Sequence, residues 1–168
     1  MISTIKILLD RYCRCLKVIM TLLMAFMIVP VSMQILSRYT GIVPRYIWTE
    51  EVARFCFVWI IMLGAMVAVR EETHFDVDLM PAPNTKREAG VSKLIVHLCM
   101  ALMAIVFAWY GAEFARFGSI QRSEMSGINM LSIYISFPLA GVTWLLFLTE
   151  KIVEDITLIK SEPSEANP

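Results

Sequence analysis

The stretch Trp48–Asp78 reads WTEEVARFCFVWIIMLGAMVAVREETHFDVD, and its charges are sorted in a way that decides the fold. Acids open it, fifteen positions from Phe55 to Val69 carry no charge, and Arg70 closes the run ahead of Glu71, Glu72, His74, Asp76 and Asp78. Fifteen helical residues cover roughly 22 Å, so the long stem of Arg54 must snorkel to complete a crossing of a bilayer core about 30 Å thick. The apolar residues are not confined to one face: Ile60, Ile61, Met62 and Leu63 follow one another. Thr49 can cap a helix whose first turn holds Glu50 and Glu51, where carboxylates favour the helix dipole. Those acids lie four and three residues before Arg54, so either can pair with it. Trp48 falls at the expected membrane interface, and Gly64 lets another backbone approach.

Three further windows share this character. Val18–Leu36, Leu94–Ala112 and Leu131–Thr149 each run 19 residues without Asp, Glu, Lys or Arg. Runs of 18 or more apolar residues indicate membrane spans, and a soluble bundle would instead alternate polar and apolar faces. Across all 168 residues, 58% are apolar and 18% charged, against about 45–50% and about 25% in soluble domains. The expected fold is an all-α integral membrane protein with transmembrane helices over 18–36, 52–70, 94–112 and 131–149. A basic amphipathic helix over 1–17 precedes them. It places Ile2, Ile5, Leu9, Tyr12 and Leu16 on one face and Lys6, Arg11, Arg14 and Lys17 largely between. Such a helix can lie on an anionic leaflet, holding phospholipid through those four cations, or simply extend the first span. A short interfacial helix begins in the loop 37–51, ahead of the second span. The apolar stretch after residue 17 is too long for a signal peptide and has no cleavage site after it, so it reads as a retained span.

The short loops 37–51, 71–93 and 113–130 suit the positive-inside rule. Ten Lys or Arg fall on the side of both termini and four or five on the other, which predicts cytoplasmic termini, a periplasmic first and third loop, and a cytoplasmic tail over 150–168 with a disordered end. Helix association in lipid relies on small residues and hydrogen bonds. Ala101, Ala104, Ala108, Gly111, Ala112 and Ala115 supply such a seam, Ser132, Ser136 and Thr143 a polar face, and Pro30 and Pro138 are expected kinks.

The formal charge is zero, which gives no footprint for nucleic acid. The four cysteines lack zinc spacing and read as free thiols. No acid lies inside a window, as a proton relay would need, and no cofactor or metal is expected. A haem would have only His74 and His97 for ligands, with His74 in a loop; His97 reads as a helix–helix hydrogen-bond partner. A self-sufficient homo-oligomeric transporter or channel stays open as the alternative, although such proteins usually place an acid within a span.

Trp48, Glu50, Glu51, Arg54, Trp59, Gly64, Arg70, His74 and Asp78 together resemble the signature of the small membrane subunit of TRAP (tripartite ATP-independent periplasmic) transporters, the DctQ-like family. The resemblance covers roughly residues 15–150 and is specific in the second span. It implies a bacterial inner-membrane subunit, not an enzyme, of a sodium-driven importer of a carboxylate-bearing solute such as a dicarboxylate or sialic acid. It implies two protein partners, a large elevator-type membrane subunit and a periplasmic solute-binding protein. The small subunit would then be a scaffold without a solute site, an expectation that fits the absence of glycine-rich half-helices and midplane charge. Trp48, Glu50, Glu51, Arg54, Trp59, Gly64 and Arg70 are the expected interface and structural residues. Arg45 and Trp48 are candidate contacts for the binding protein.

Overall fold

A computed structural model describes residues 2–40, 46, 48–71, 86–124 and 126–160. They form α1 (Ile2–Tyr39), α2 (Trp48–Glu71), α3 (Lys86–Ile120), α4 (Leu131–Tyr134) and α5 (Ser136–Lys160). Four stretches are long and apolar enough to cross a bilayer: Lys6–Tyr39, Trp48–Glu71, Val91–Ile120 and Leu131–Thr157. The fold is the expected all-helical, four-span one. The first three uncharged windows are each the middle of a longer helix, because helical hydrogen bonding does not stop where charges resume; the fourth starts with α4 and runs into α5. The basic amino-terminal stretch is helical and runs into the first span as one continuous α1. The turn expected ahead of the second span is the first turn of α2 itself.

The two prolines act differently. Pro30 lies within α1, which continues through it. Pro138 cannot donate to Tyr134, and its ring crowds that carbonyl; the helical pattern is interrupted for one residue, Ile135, between α4 and α5, while the Ile135 and Leu139 N–H groups still donate to the Leu131 and Ile135 carbonyls.

The helices pack in the order α1, α2, α5, α3, as a row one helix thick. Burial follows that order. In the outer helices 6% (α1) and 11% (α3) of the span window is buried, against 28% and 39% in the inner α2 and α5. The row curls at the end bearing the termini, where Tyr12 Oη and Thr143 Oγ1 lie 3.2 Å apart and the Tyr12 and Phe147 rings are 5.9 Å apart. Phe147 and Met66 are wholly buried at this meeting of α1, α2 and α5.

The tightest packing is between α3 and α5, along the alanine seam. A Cβ on Gly141 would fall 2.4 Å from the Ala108 backbone nitrogen and 2.8 Å from the Ala104 carbonyl oxygen. Phe107 and Trp144 close the same seam with ring centroids 5.0 Å apart. Gly64, the glycine singled out in the second span, has only the Met20 sulfur as a neighbour, at 3.6 Å. Close backbone approach between α3 and α5 is made at Gly141 and also at Gly111, where a Cβ would fall 2.8 Å from the Pro138 backbone nitrogen, and not at Gly64.

Candidate functional site

The described charged side chains gather at the two ends of the row. At the end away from the termini, the first turn of α2 divides its two acids between different tasks. Glu50 pairs with Arg54 at 3.4 Å, one helical turn apart, with both side chains mostly exposed. Glu51 turns the other way, onto the segment between α3 and α4. It accepts a hydrogen bond from the Ser123 hydroxyl, and its second oxygen accepts the Ser126 backbone N–H at 3.0 Å. That segment is a narrow hairpin. Arg122 and Asn129 face each other in an antiparallel bridge, and Gly127 turns the chain at φ 69°, a region that favours glycine. The Asn129 amide ties it to both neighbouring helices, donating to the Ser119 carbonyl and accepting from the Leu131 N–H. Trp59 adds a second link from α2, donating its indole N–H to the Ser132 carbonyl at 2.9 Å.

Thr49 does not cap α2 as the sequence predicts. Its hydroxyl donates to the Tyr46 carbonyl at 2.6 Å and is buried, so its oxygen faces back along the chain. Trp48 is half exposed beside Tyr46. Arg45, His74 and Asp78 lie outside the described residues.

Removing the Glu51 carboxylate leaves the Ser126 amide without its acceptor. An unmade hydrogen bond of this kind costs about 1–3 kcal/mol, so Glu51→Ala should raise hydrogen exchange across residues 121–130 by about tenfold or more. Glu50→Ala should leave that exchange unchanged, because the hydrogen bond of Glu50 goes to Arg54 on its own helix.

At the opposite end Arg70 joins three helices. Its guanidinium donates to Asp10 of α1 at 2.7 Å and to Glu150 of α5, and lies 5.6 Å from the centre of the Phe147 ring. Two more ion pairs stand beside it. Lys17 meets Glu71 and Lys6 meets Glu154, all at surface positions. Two of the four cations expected to hold lipid are thus occupied within the chain, while Arg11 and Arg14 remain exposed. Deeper, His97 Nδ1 lies 2.6 Å from Asp155 Oδ2, with both side chains buried. This is the helix–helix hydrogen bond expected of His97, joining α3 to α5. Its partner, like Asp10 and Glu150, lies outside any local pattern that could have announced it.

A family model described as the DctQ component of tripartite ATP-independent periplasmic transporters matches residues 27–158. The chain belongs to this family. A DctQ component is a small membrane subunit of a transporter, and with four membrane-length helices this one is a multi-pass protein of the inner membrane. Among its relatives, the sialic acid TRAP transporter small permease protein SiaQ of Vibrio cholerae is 24% identical over 153 residues, 90% of this chain and 87% of that protein. The isethionate TRAP transporter permease protein DctMQ of Oleidesulfovibrio alaskensis is 26% identical over 131 residues, 75% of this chain. The sialic acid TRAP transporter permease protein SiaT of Haemophilus influenzae is 33% identical over 113 residues, 65% of this chain. This DctQ component spans only 20% of the isethionate permease and 18% of SiaT. In both, its counterpart is one part of a much longer permease polypeptide.

Proposed function

We propose that this chain is the fixed scaffold of a sodium-driven importer of a carboxylate-bearing solute, docking on a larger permease subunit and holding no solute itself. The observation that carries this reading is the open row of helices. A row one helix thick leaves broad apolar faces on both sides, and the described polar clusters lie at its two ends rather than at mid-membrane. Such a layer widens another membrane protein. That two relatives contain its counterpart within a longer permease supports the same partner. The positive-inside count puts both termini in the cytoplasm and the Glu51-pinned hairpin in the periplasm, where a solute-binding protein would arrive.

The docking face we assign is the exposed stripe of α2. Glu50, Arg54, Phe57 and Ile61 recur at three- and four-residue steps and are all exposed, Phe57 and Ile61 to 54% and 47%. Gly64 follows one turn on, at the edge of the stripe, where a Cβ would meet the Met20 sulfur of α1 at 3.6 Å. Trp48 and Arg45, at its periplasmic end, are the proposed contacts for the binding protein.

The Glu50–Arg54 pair is exposed and adds less than about 1 kcal/mol to the fold. Glu50→Ala with Arg54→Ala should therefore leave the melting temperature of the isolated chain unchanged while lowering co-purification with the larger subunit by about tenfold, as loss of one desolvated charge pair at an interface would. Trp48→Ala with Arg45→Ala should lower uptake in vesicles without lowering co-purification. Full association and uptake in both variants would remove this docking face. Uptake by the chain reconstituted alone would favour the homo-oligomeric transporter instead.

A further inference from the structure

Beside the Arg70 knot, α1, α2 and α5 enclose an open cleft of about 560 Å³, within the range of about 300–1,000 Å³ common to ligand sites. Its charged lining is Asp10, Arg14, Lys17, Arg70, Glu71 and Lys151. Among the described residues four cations face two carboxylates, and their balance stays positive when Glu150, which grips Arg70 from α5, is included. The heights of the cations matter more than their number. Lys17 comes immediately before the uncharged window that opens at Val18 and Arg14 about one turn earlier, Arg70 immediately follows Val69, and Lys151 lies two residues after Thr149. Three helices thus deliver their cations to one level, the boundary of the apolar layer. Below Arg14, α1 continues with Val18 and Leu22 at four-residue steps, 55% and 64% exposed. This is a polar cup with an apolar wall running into the membrane.

We propose that this cleft binds the phosphate headgroup of an anionic phospholipid, with Arg14 and Lys151 contacting the phosphate and an acyl chain lying along Val18 and Leu22. A free anion would have no use for the apolar wall, and a zwitterionic lipid would gain nothing from the charge excess. Basic pockets between membrane helices select anionic headgroups on the same grounds. The site relocates the lipid contact read from the amino-terminal segment: Lys6, paired with Glu154, lies outside it, and Arg14 is joined by Lys151 from the far end of the chain. It depends on neither the partner nor the orientation proposed above.

Native mass spectrometry of the full chain in mild detergent, with equal amounts of phosphatidylglycerol and phosphatidylcholine of matched acyl chains, tests it. Wild type should retain phosphatidylglycerol preferentially, and the preference should fall about fivefold for each cation removed, so that Arg14→Ala with Lys151→Ala abolishes it. Lys6→Ala should keep the wild-type preference. If the double variant does not fold, Arg14→Gln alone, at an exposed position, should show the single-step loss. Equal retention of both lipids by wild type, an unchanged preference in the Arg14 and Lys151 variants, or an equal loss in Lys6→Ala would overturn the site. Displacement of the lipid by inorganic phosphate would make it a free-anion site and overturn the lipid assignment.

Discussion

Arg70→Ala should be among the most damaging single substitutions in this protein, lowering stability by about 3–5 kcal/mol, the usual cost of leaving a buried charge without its partner. The size follows from Glu150. That carboxylate is only 7% exposed and Arg70 only 12%, so removing the guanidinium leaves a largely buried anion without its closest cation. Asp10, 62% exposed, can turn to solvent and adds little. The loss should therefore be largely recovered by Glu150→Gln in the same chain, whereas Asp10→Asn should recover almost none of it. A thermal melt in detergent of the single and double variants checks both statements, because coupled neighbours depart from additivity by about 0.5–3 kcal/mol. Equal losses in Arg70→Ala and in Arg70→Ala with Glu150→Gln would mean that the stranded charge is not the cause. Replacing the whole pair by Met and Leu should be close to neutral, since well-packed apolar groups avoid the desolvation of both ions.

Arg70 also shows where the sequence stops being legible. The four spans could be read because membrane solubility is written locally, in the absence of charge over 15 to 19 positions. The Glu50–Arg54 pair was readable for the same reason, being one helical turn apart. The alanine seam of the third span could be seen as a packing face, but not its partner: that Ala104 and Ala108 meet Gly141 depends on the order of helices in the row. Glu51 was expected to compete with Glu50 for Arg54. It holds Ser123 and Ser126 instead, more than seventy positions away, and nothing near Glu51 in the chain distinguishes it from Glu50. Arg70, Asp10 and Glu150 each look like an ordinary membrane-edge charge, and only the crossing of α1, α2 and α5 makes them one cluster. His97 was recognisable as a residue that wants a partner, because an imidazole in an apolar window must hydrogen-bond to something; that the partner is Asp155 was not.

The glycines make the sharpest use of this difference. In the middle of a helix, Gly→Ala normally stabilises by about 1 kcal/mol through the propensity of alanine. Gly64→Ala should follow that rule in the isolated chain, since the new methyl would meet only the Met20 sulfur at 3.6 Å, an ordinary contact with a flexible side chain. Gly141→Ala should reverse the sign. Its methyl would press on the Ala108 nitrogen at 2.4 Å and the Ala104 oxygen at 2.8 Å, and neither backbone atom can move without shifting α3 against α5. Overpacking costs about 1–3 kcal/mol where side chains can yield, and more where they cannot. Gly141→Ala should therefore lower the melting temperature, and Gly141→Leu should prevent recovery of folded protein. Gly64→Ala should raise the melting temperature slightly, because its methyl gains the contact with Met20 of α1 without strain. A Gly141→Ala chain as stable as wild type would contradict the α3–α5 contact itself. A Gly64→Ala chain that melts lower than wild type would mean that the Met20 side chain cannot yield to the added methyl.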